Sequence, residues 1–439
     1  MTRNLTMPHS LRRLAGFAVL AFTLAACADD AELNTRDDLF GPEAIAIENF
    51  MTGLLVVTYV VFAFVMIVSF EAWRRYRIKT DDYEDDEFPD QEDEDRTKEI
   101  LFNGVPILIL VIVGFFTFQL HQDLNSDSEN AISLDVGGTA VAWEPEIVVI
   151  GQQWWWEYQY HFGDVELTAQ RIENLPVPDI TTATQMVIPV GQEIELEITS
   201  RDVIHSHWIP SLNGKRDAVP GRQSAPWKIQ ADKAGVYFGQ CTEFCGLSHS
   251  RMRMQVVALP PDDFQAWVSS QMEGVALDAD SQAYLDALVA GETPAPEGAT
   301  QRGIATFRSK CASCHLMDNI GDDLWSEDAV AEQLVAGAAP NLTHFATRTT
   351  FAGGIRNVWD PDTLEFNAND LRQWLRDPSS VKANYTDAVS DDDPRMRGMP
   401  NLNLSTQEVD DLVALLASTG EPPAVDGDGE LIIRETGVE

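Results

Sequence analysis

Two long apolar stretches constrain this chain more than any other feature of its sequence. One runs from Phe50 to Phe70 and the other from Ile100 to Leu120. Each has about the 20 residues that a helix needs to cross the hydrocarbon layer, where a backbone must satisfy all of its own hydrogen bonds. The sequence therefore predicts a two-helix transmembrane hairpin over residues 45–122, with helices at about 50–72 and 99–121.

Basic residues set the orientation of this hairpin. Four of them directly follow the first apolar stretch: Arg74, Arg75, Arg77 and Lys79. Such clusters stay on the cytoplasmic side, so the N-terminus and everything after His121 are predicted to lie outside the cytoplasm. The acidic block from Asp81 to Asp95 is predicted to be a solvated loop between the two helices.

Residues 1–26 have the pattern of a targeting segment. Arg12 and Arg13 precede an apolar run that is too short to be a final membrane anchor. The sequence Leu24-Ala-Ala-Cys27 resembles a bacterial lipobox, which implies a lipoprotein-type signal peptide, cleavage before Cys27 and a lipid on its thiol. The alternative is an ordinary signal peptide in which Cys27 has no special role.

The charge balance excludes one class of partner. The 439 residues carry a formal net charge of −40, which would repel the phosphates of a nucleic acid. An acidic excess of this size favours a basic protein partner or a high-salt habitat. A chain of this length is expected to contain two or three domains.

Residues 123–270 are rich in strand patterns. The segment from Glu193 to Ile198 alternates strictly between acidic and apolar side chains, which is the period of a half-exposed strand. The segment from Glu146 to Ile150 is also strand-like. Short strands separated by Gly and Pro turns predict a β-sandwich or a Greek-key barrel.

One loop of this region concentrates ligands for a soft metal. Two thiols, an imidazole and a thioether fall within twelve residues: Cys241, Cys245, His249 and Met252. These ligand types favour copper or zinc, and the wide Cys-x-x-x-Cys spacing together with the Met favours copper. A second imidazole comes earlier in the chain, in the segment from Asp202 to Pro210, which contains His205 and His207. Two thiolates can bridge two copper ions, with one imidazole on each ion.

In two motifs the chain resembles subunit II of the haem–copper cytochrome c oxidases. The motifs are Asp202-Val-Ile-His205-Ser and Gly239-Gln-Cys241-x-Glu243-x-Cys245-Gly-x-x-His249-x-x-Met252. The resemblance implies a cupredoxin fold with a dinuclear CuA centre. The ligands it implies are His205, Cys241, Glu243 through its backbone carbonyl, Cys245, His249 and Met252. It also implies that the Glu243 carboxylate reaches a magnesium ion at the interface with subunit I.

The same resemblance implies roles for other positions. Trp154, the first residue of a Trp-Trp-Trp run, matches the residue at which electrons enter from cytochrome c, with core packing as the alternative. Glu99 matches a carboxylate at the entrance of a proton pathway into subunit I, with a solvated helix-end carboxylate as the alternative. The segment from Lys215 to Arg222 matches the contact with subunit I.

One position departs from the family pattern. His207 stands where relatives commonly carry a bulky aromatic residue. We expect it to have a structural role, with its ring pointing away from the ring of His205. Its presence leaves open which of the two rings binds copper.

A haem domain is predicted after a linker at residues 271–298, which ends in a stretch of Pro, Gly and acidic residues. The sequence Cys311-Ala-Ser-Cys314-His315 has the spacing for covalent attachment of haem c, with His315 as an axial ligand of the iron. The other axial ligand should be a Met. Met399 fits the pattern of class I cytochromes c, with Met396 as the alternative.

The end of the chain completes this domain. The segment from Ser405 to Ser418 opens with a capping box and has a helical apolar stripe, so it predicts a closing helix. Residues 299–420 are therefore predicted to be an all-α class I cytochrome c domain, followed by a polar tail at residues 421–439.

The resemblance covers about residues 45–420 and implies the electron-accepting subunit of a respiratory cytochrome c oxidase. Electrons would pass from cytochrome c, either the fused haem or an external donor, through copper to a catalytic subunit that reduces oxygen to water and pumps protons. The implied partners are subunits I and III and a cytochrome c or quinol:cytochrome c reductase, in a bacterial inner membrane with both soluble domains on the periplasmic side. Two alternatives are a CuA electron carrier of a nitrogen-oxide reductase and a copper-free structural subunit of a quinol oxidase.

Overall fold

The computed structural model describes most of the chain. The described ranges are 39–76, 95–126, 131–163, 177–222, 227–321, 339–361, 363–386 and 398–421. The expectations for the signal peptide, Cys27, the acidic loop, Met396 and the polar tail lie outside these ranges, apart from Asp95 and Glu421 at their borders.

Two long helices precede the soluble part: α1 (Pro42–Tyr76) and α2 (Arg96–Leu124). Each contains an 18-residue window that is not buried at all, with a mean hydropathy of 2.6 in α1 and 2.4 in α2. Both are therefore long and apolar enough to span a membrane, as predicted. The Asp95 side chain caps α2 by accepting from the backbone N–H groups of Thr97 and Lys98.

Strands build the next domain. In chain order they are β1 (Ile132–Val136), β2 (Thr139–Trp143), β3 (Glu146–Gln152), β4 (Trp155–Tyr160), β5 (Ile180–Ala183), β6 (Gln185–Pro189), β7 (Ile194–Ser200), β8 (His205–His207), β9 (Arg216–Ala218), β10 (Trp227–Ile229), β11 (Gly235–Gln240) and β12 (Arg253–Leu259). One sheet has the order β10-β7-β3-β4-β5 and another has the order β11-β12-β6. Side chains from both sheets, such as Ile147, Leu196 and Val256, belong to one buried cluster. The predicted β-sandwich is confirmed.

Helices dominate the last part of the chain. After α3 (Pro261–Gln271) come α4 (Ala279–Val289), α5 (Ala299–Lys310), α6 (Ala368–Arg376), α7 (Pro378–Val381) and α8 (Thr406–Ala417). A two-residue ladder between β13 (Thr350–Phe351) and β14 (Arg356–Asn357) and an isolated bridge between Trp359 and Phe366 depart from an all-α domain. The predicted capping box is present at the start of α8, between Ser405 and Glu408.

The segment predicted as a linker is more structured than expected. Helix α4 lies inside residues 271–298, and its Tyr284 and Leu285 are buried in the same cluster as Phe307 and Leu412. Val275 also belongs to this second core, whereas Phe264 of α3 belongs to the first. The change from one core to the other therefore takes place within a few residues after α3.

A polar seam joins the two domains. The buried Gln185 of the sandwich accepts through Oε1 from the backbone N–H of Thr349 at 3.0 Å and from its hydroxyl at 2.8 Å. Gln255 also donates to Thr349 and Thr350, and the Arg253 N–H donates to the Gly353 carbonyl at 3.0 Å. Because these bonds satisfy polar groups that are shielded from water, they favour one docked arrangement.

A close helix crossing supports the second core. A Cβ atom added to Gly303 of α5 would lie 2.5 Å from the backbone oxygen of Asp411 in α8, so only glycine fits. Beside this crossing, Arg302 donates twice to the Asp411 carboxylate, at 2.9 Å each.

The substitution Gly303→Ala should therefore destabilise the second domain. Overpacking costs about 1–3 kcal/mol, and we expect this to exceed the gain in helix propensity of about 1 kcal/mol. Thermal unfolding followed through the haem absorption should show a lower melting temperature. Ser309→Ala, at an exposed position of the same helix, is the control, and an unchanged melting temperature for Gly303→Ala would contradict the crossing.

Candidate metal centre and haem pocket

The sulfur-rich loop is held between two paired strands. Strand β11 ends at Gln240 and β12 begins at Arg253, and these two residues are register partners. The Cys241 N–H donates to the Met252 carbonyl at 2.9 Å and closes the loop, and the Thr242 N–H donates to Ser206 at 3.0 Å. The loop is thereby attached both to its own hairpin and to β8, which carries His205.

Two cysteines lie at the centre of the loop. Their Sγ atoms are 3.8 Å apart, and the Nδ1 atom of His205 is 3.9 Å from the Sγ atom of Cys241. Within the described part of the chain, His205, Cys241 and Cys245 form the group that could hold a metal ion. All three are buried.

Three further ligand atoms surround this pair. The Nδ1 atom of His249 is 3.5 Å and the Sδ atom of Met252 is 3.8 Å from the Sγ atom of Cys245. The backbone oxygen of Glu243 is 3.3 Å from the Sγ atom of Cys241. Each thiol therefore has its own imidazole, and all six residues predicted as copper ligands meet at one place.

The chemistry of this donor set fits a pair of soft metal ions. Sulfur and imidazole ligands suit copper, whereas oxygen ligands suit magnesium or calcium. One imidazole lies beside each of the two sulfurs. The four described cysteines are all free thiols, so Cys241 and Cys245 are available as ligands.

His205 is oriented by its second nitrogen. The Nε2 atom is 2.8 Å from the Asp202 carboxylate, which leaves Nδ1 directed at the sulfur pair. Burial lowers the pKa of His205, but the hydrogen bonds to Asp202 and Cys241 outweigh it and raise this pKa above its ordinary value. Gly151 of β3 leaves room for the ring, since a Cβ atom there would lie 2.7 Å from it.

The hydrogen bond between the two thiols moves their pKa values in opposite directions. It lowers the pKa of Cys241. The same hydrogen bond raises the pKa of Cys245, and burial adds to the increase. Cys241 is therefore the thiol of the pair that ionises more readily.

The expected orientation of His207 is wrong. Residues two apart in a strand point to the same face, and the rings of His205 and His207 both contact Trp156, with centroids 5.8 and 5.2 Å away. The Nε2 atom of His207 is 3.3 Å from the Tyr158 hydroxyl, and burial lowers the pKa of this histidine to about 3. His207 is a core residue, and His205 is the ring beside Cys241.

Trp154 lies against the metal loop. Its Nε1 atom donates to the Cys245 carbonyl at 2.9 Å, and the Gln153 side chain donates to the same carbonyl at 2.6 Å. Only 3% of Trp154 is exposed, because Tyr385 of the second domain packs against it with ring centroids 5.2 Å apart. The second domain therefore covers the residue predicted to accept electrons.

A cavity of about 630 Å³ lies directly behind Trp154. Cys314, His315 and Met399 line it from the second domain, and Trp154 and Trp155 line it from the first. Three residues predicted to hold haem thus share one cavity, and this cavity adjoins the tryptophan that donates to the copper loop. Cys311 is buried in the core beside it.

His315 is prepared to bind a metal through one nitrogen. Its Nδ1 atom is 2.7 Å from the Pro340 carbonyl, which leaves Nε2 for iron. Burial lowers the pKa of His315 and keeps the ring neutral.

Two buried cations in this cavity were not predicted from the sequence. Burial lowers the pKa of Arg348 to about 10 and that of Lys382 to about 7. Arg348 donates to the Asn341 carbonyl, and Lys382 donates to the carbonyls of Trp154 and Ala352. A lone basic residue in a polar segment gives no sequence signal that it will be buried.

The predictions for the other subunits concern residues that are mostly exposed. Glu99 is exposed in the first turn of α2. Glu243 is exposed, while its backbone carbonyl oxygen lies 3.3 Å from the Sγ atom of Cys241. In the segment predicted to meet subunit I, the Lys215 ammonium lies 4.6 Å from the centre of the Trp208 ring, and Asp217 is exposed on β9.

Comparisons with known proteins match both domains. The family described as cytochrome c oxidase subunit II, periplasmic domain, matches residues 146–259, and the family described as cytochrome c matches residues 300–420. Cytochrome c oxidase subunit 2 of Alkalihalophilus pseudofirmus is 30% identical over 373 residues, which covers 84% of this chain and 89% of that protein. Cytochrome c oxidase subunit 2 of Bacillus sp. PS3 is 27% identical over 310 residues, which covers 68% of this chain and 70% of that protein.

A solved structure matches a smaller part. The crystal structure of the periplasmic domain of subunit II of cytochrome oxidase from Bradyrhizobium japonicum is 26% identical, with a TM-score of 0.24. The match covers 29% of this chain and 93% of that structure.

The substitution Asp202→Asn should weaken metal binding. It removes the charged partner of His205 Nε2, and loss of such outer partners typically lowers metal affinity about 10–100-fold. Competition with a copper chelator, followed through the copper–thiolate absorption, measures the change. Asp262→Asn on the exposed start of α3 is the matched control, and equal affinities for both variants would contradict this role of Asp202.

Proposed function

The chain belongs to the cytochrome c oxidase subunit II family, and from this premise we propose how its own residues carry electrons between two redox sites. It is a member of an oxidase complex that takes electrons from cytochrome c and in which another subunit reduces oxygen. When bound, the copper pair and the haem each take up and release single electrons.

We assign the copper ligands to six residues: His205, Cys241, Glu243 through its carbonyl, Cys245, His249 and Met252. The observation that carries this assignment is the 3.8 Å separation of two buried thiols, each with its own imidazole. A water-excluded site built from soft ligands suits copper. The retained pair of thiols also argues against a copper-free structural subunit.

Haem c is assigned to the cavity behind Trp154. Cys311 and Cys314 would attach it, and His315 and Met399 would bind its iron. The free Nε2 atom of His315 and the position of Met399 on the same cavity support this assignment. The buried cations Arg348 and Lys382 complement the carboxylates that a haem carries.

The fused haem is the immediate donor to copper in this proposal. Trp154 donates to the copper loop through its indole N–H and also lines the haem cavity. Since 3% of this residue is exposed, an external protein has little access to it. A soluble cytochrome c or a quinol:cytochrome c reductase would therefore deliver electrons to the haem domain.

The remaining assignments concern the rest of the complex. Subunits I and III are the proposed partners. The segment from Lys215 to Arg222 would contact subunit I, and the exposed Glu243 carboxylate would reach a magnesium ion at that interface. Glu99 is proposed as the entrance of a proton pathway, because an ionisable group at the end of a spanning helix is a functional candidate. The proposed location is a bacterial inner membrane, with both soluble domains on the periplasmic side.

The substitution Cys245→Ser tests the copper assignment. A hydroxyl is a poor substitute for a bridging thiolate, so the mixed-valence copper spectrum and the oxidation of reduced cytochrome c by the complex should both be abolished. Electron paramagnetic resonance, copper content and oxygen consumption measure these effects. Ser250→Ala, at an exposed position in the same loop, should leave all three unchanged. A normal copper spectrum in Cys245→Ser would refute the ligand set.

The substitution Met399→Ala tests the haem assignment. Loss of the thioether should convert the iron from low spin to high spin and lower its reduction potential, since Met/His ligation raises that potential. Visible absorption and a redox titration report both changes. Met317→Leu, which replaces a buried methionine of the same core, should retain the low-spin spectrum. A low-spin spectrum in Met399→Ala would shift the assignment to Met396.

A further inference from the structure

A short segment after α7 connects the two redox sites. We call residues 381–385 the bridge segment. On the side of the copper loop, Arg251 donates to the Val381 carbonyl and the Ser248 hydroxyl donates to the Ala383 carbonyl, both at 2.5 Å. Ser248 and Arg251 lie immediately before and shortly after His249, so the bridge segment is bonded to the copper loop beside a proposed ligand.

The same segment is bonded to the proposed haem ligand. The Asn384 side chain donates to the Met399 carbonyl at 3.1 Å, and its oxygen accepts from the backbone N–H and the hydroxyl of Thr386. A Cβ atom on Gly398 would lie 2.4 Å from the Cβ atom of Asn384. The methionine loop and the bridge segment are therefore in close contact.

Trp154 is held between these two attachments. Its indole N–H is bonded to Cys245, its carbonyl accepts from the Lys382 ammonium, and its ring lies against the ring of Tyr385 at an interplanar angle of 46°. A Cβ atom on Gly246 would lie 3.3 Å from the Tyr385 hydroxyl oxygen and 3.2 Å from the Trp154 ring. Both aromatic side chains thus press on the residue that follows Cys245.

We propose that Tyr385 is a positioning residue for electron transfer between haem and copper. Its ring covers the Trp154 indole and holds it against the Cys245 carbonyl, while its own backbone is fixed through Asn384 to Met399. This inference rests on the proposed function, because it needs haem in the cavity behind Trp154. Tyr385 acts through Trp154 and through the spacing of the two loops.

The contact requires a flat ring and does not require the hydroxyl. Tyr385→Phe keeps the ring packing on Trp154, whereas Tyr385→Ala removes it and frees the indole to move. Since the rate of electron transfer falls with the spacing of the groups between the two sites, Tyr385→Ala should slow haem-to-copper transfer several-fold. Tyr385→Phe should transfer at the rate of the unaltered protein.

The experiment uses the oxidase complex with the full chain. A photoexcited reductant supplies one electron to the haem, and the haem and copper absorption bands are followed separately. Tyr385→Ala is expected to keep the haem spectrum and the copper paramagnetic resonance of the unaltered protein while transfer slows. If Tyr385→Ala loses either spectrum, Tyr385→Leu takes its place, since it fills the site without a flat ring and should also be slow.

Two outcomes would overturn the role of Tyr385. One is transfer at the unaltered rate in the variant that lacks the ring, and the other is a rate in Tyr385→Phe as slow as in Tyr385→Ala. A measurement on the unaltered protein distinguishes a failure of the role of Tyr385 from a failure of the proposed function. If copper there is reduced without oxidation of the haem, the haem is not the donor, whatever Tyr385 does.

Discussion

The carbonyl oxygen of Cys245 is the point on which the arrangement of both domains depends. It accepts from the Gln153 side chain and from the Trp154 indole, so the metal loop is tied to the turn between β3 and β4. Trp154 is bonded in turn to Lys382 of the second domain. The geometry of the sulfur cluster and the docking of the second domain are therefore not independent.

The seam between the domains reinforces this constraint because its polar groups are buried and paired. Leaving a buried hydrogen-bonding group without its partner costs about 1–3 kcal/mol. Gln185 and Gln255 of the sandwich both bond to Thr349 of the second domain, so sliding one domain over the other would break several bonds at once. Fixed dipoles around a site also need little rearrangement when its charge changes, which suits a centre that passes single electrons.

The sequence predicted the parts of the structure whose signal is local. Cys241, Cys245, His249 and Met252 belong to one short loop, so their spacing was enough to predict that they meet. His205 required a second motif, and the apolar stretches and the Ser405 capping box required only composition and periodicity. These features depend on few contacts between distant residues.

What the sequence did not predict depends on contacts between distant residues. Lys382 and Tyr385 come more than two hundred residues after Trp154, and nothing near them indicates that they bury it. Helix α4 lies within the residues predicted as a linker, and its buried Leu285 finds its partners in α5 and α8, which the local sequence does not reveal. The prediction for His207 was wrong for another reason. It placed the His207 ring opposite the His205 ring, whereas residues two apart in a strand point to the same face.

The connection between the two domains is ordered, and this order determines how fusion of the haem domain affects its docking. A domain on a flexible tether still has to find its docking site, at an effective concentration set by the length and stiffness of the tether. Here α4 packs into the haem domain within a few residues of the end of α3, and the bridge segment is bonded to the copper loop. The search step is thereby removed for the fused haem. The same docking covers Trp154, so in the proposed route an external donor would meet the surface of the haem domain.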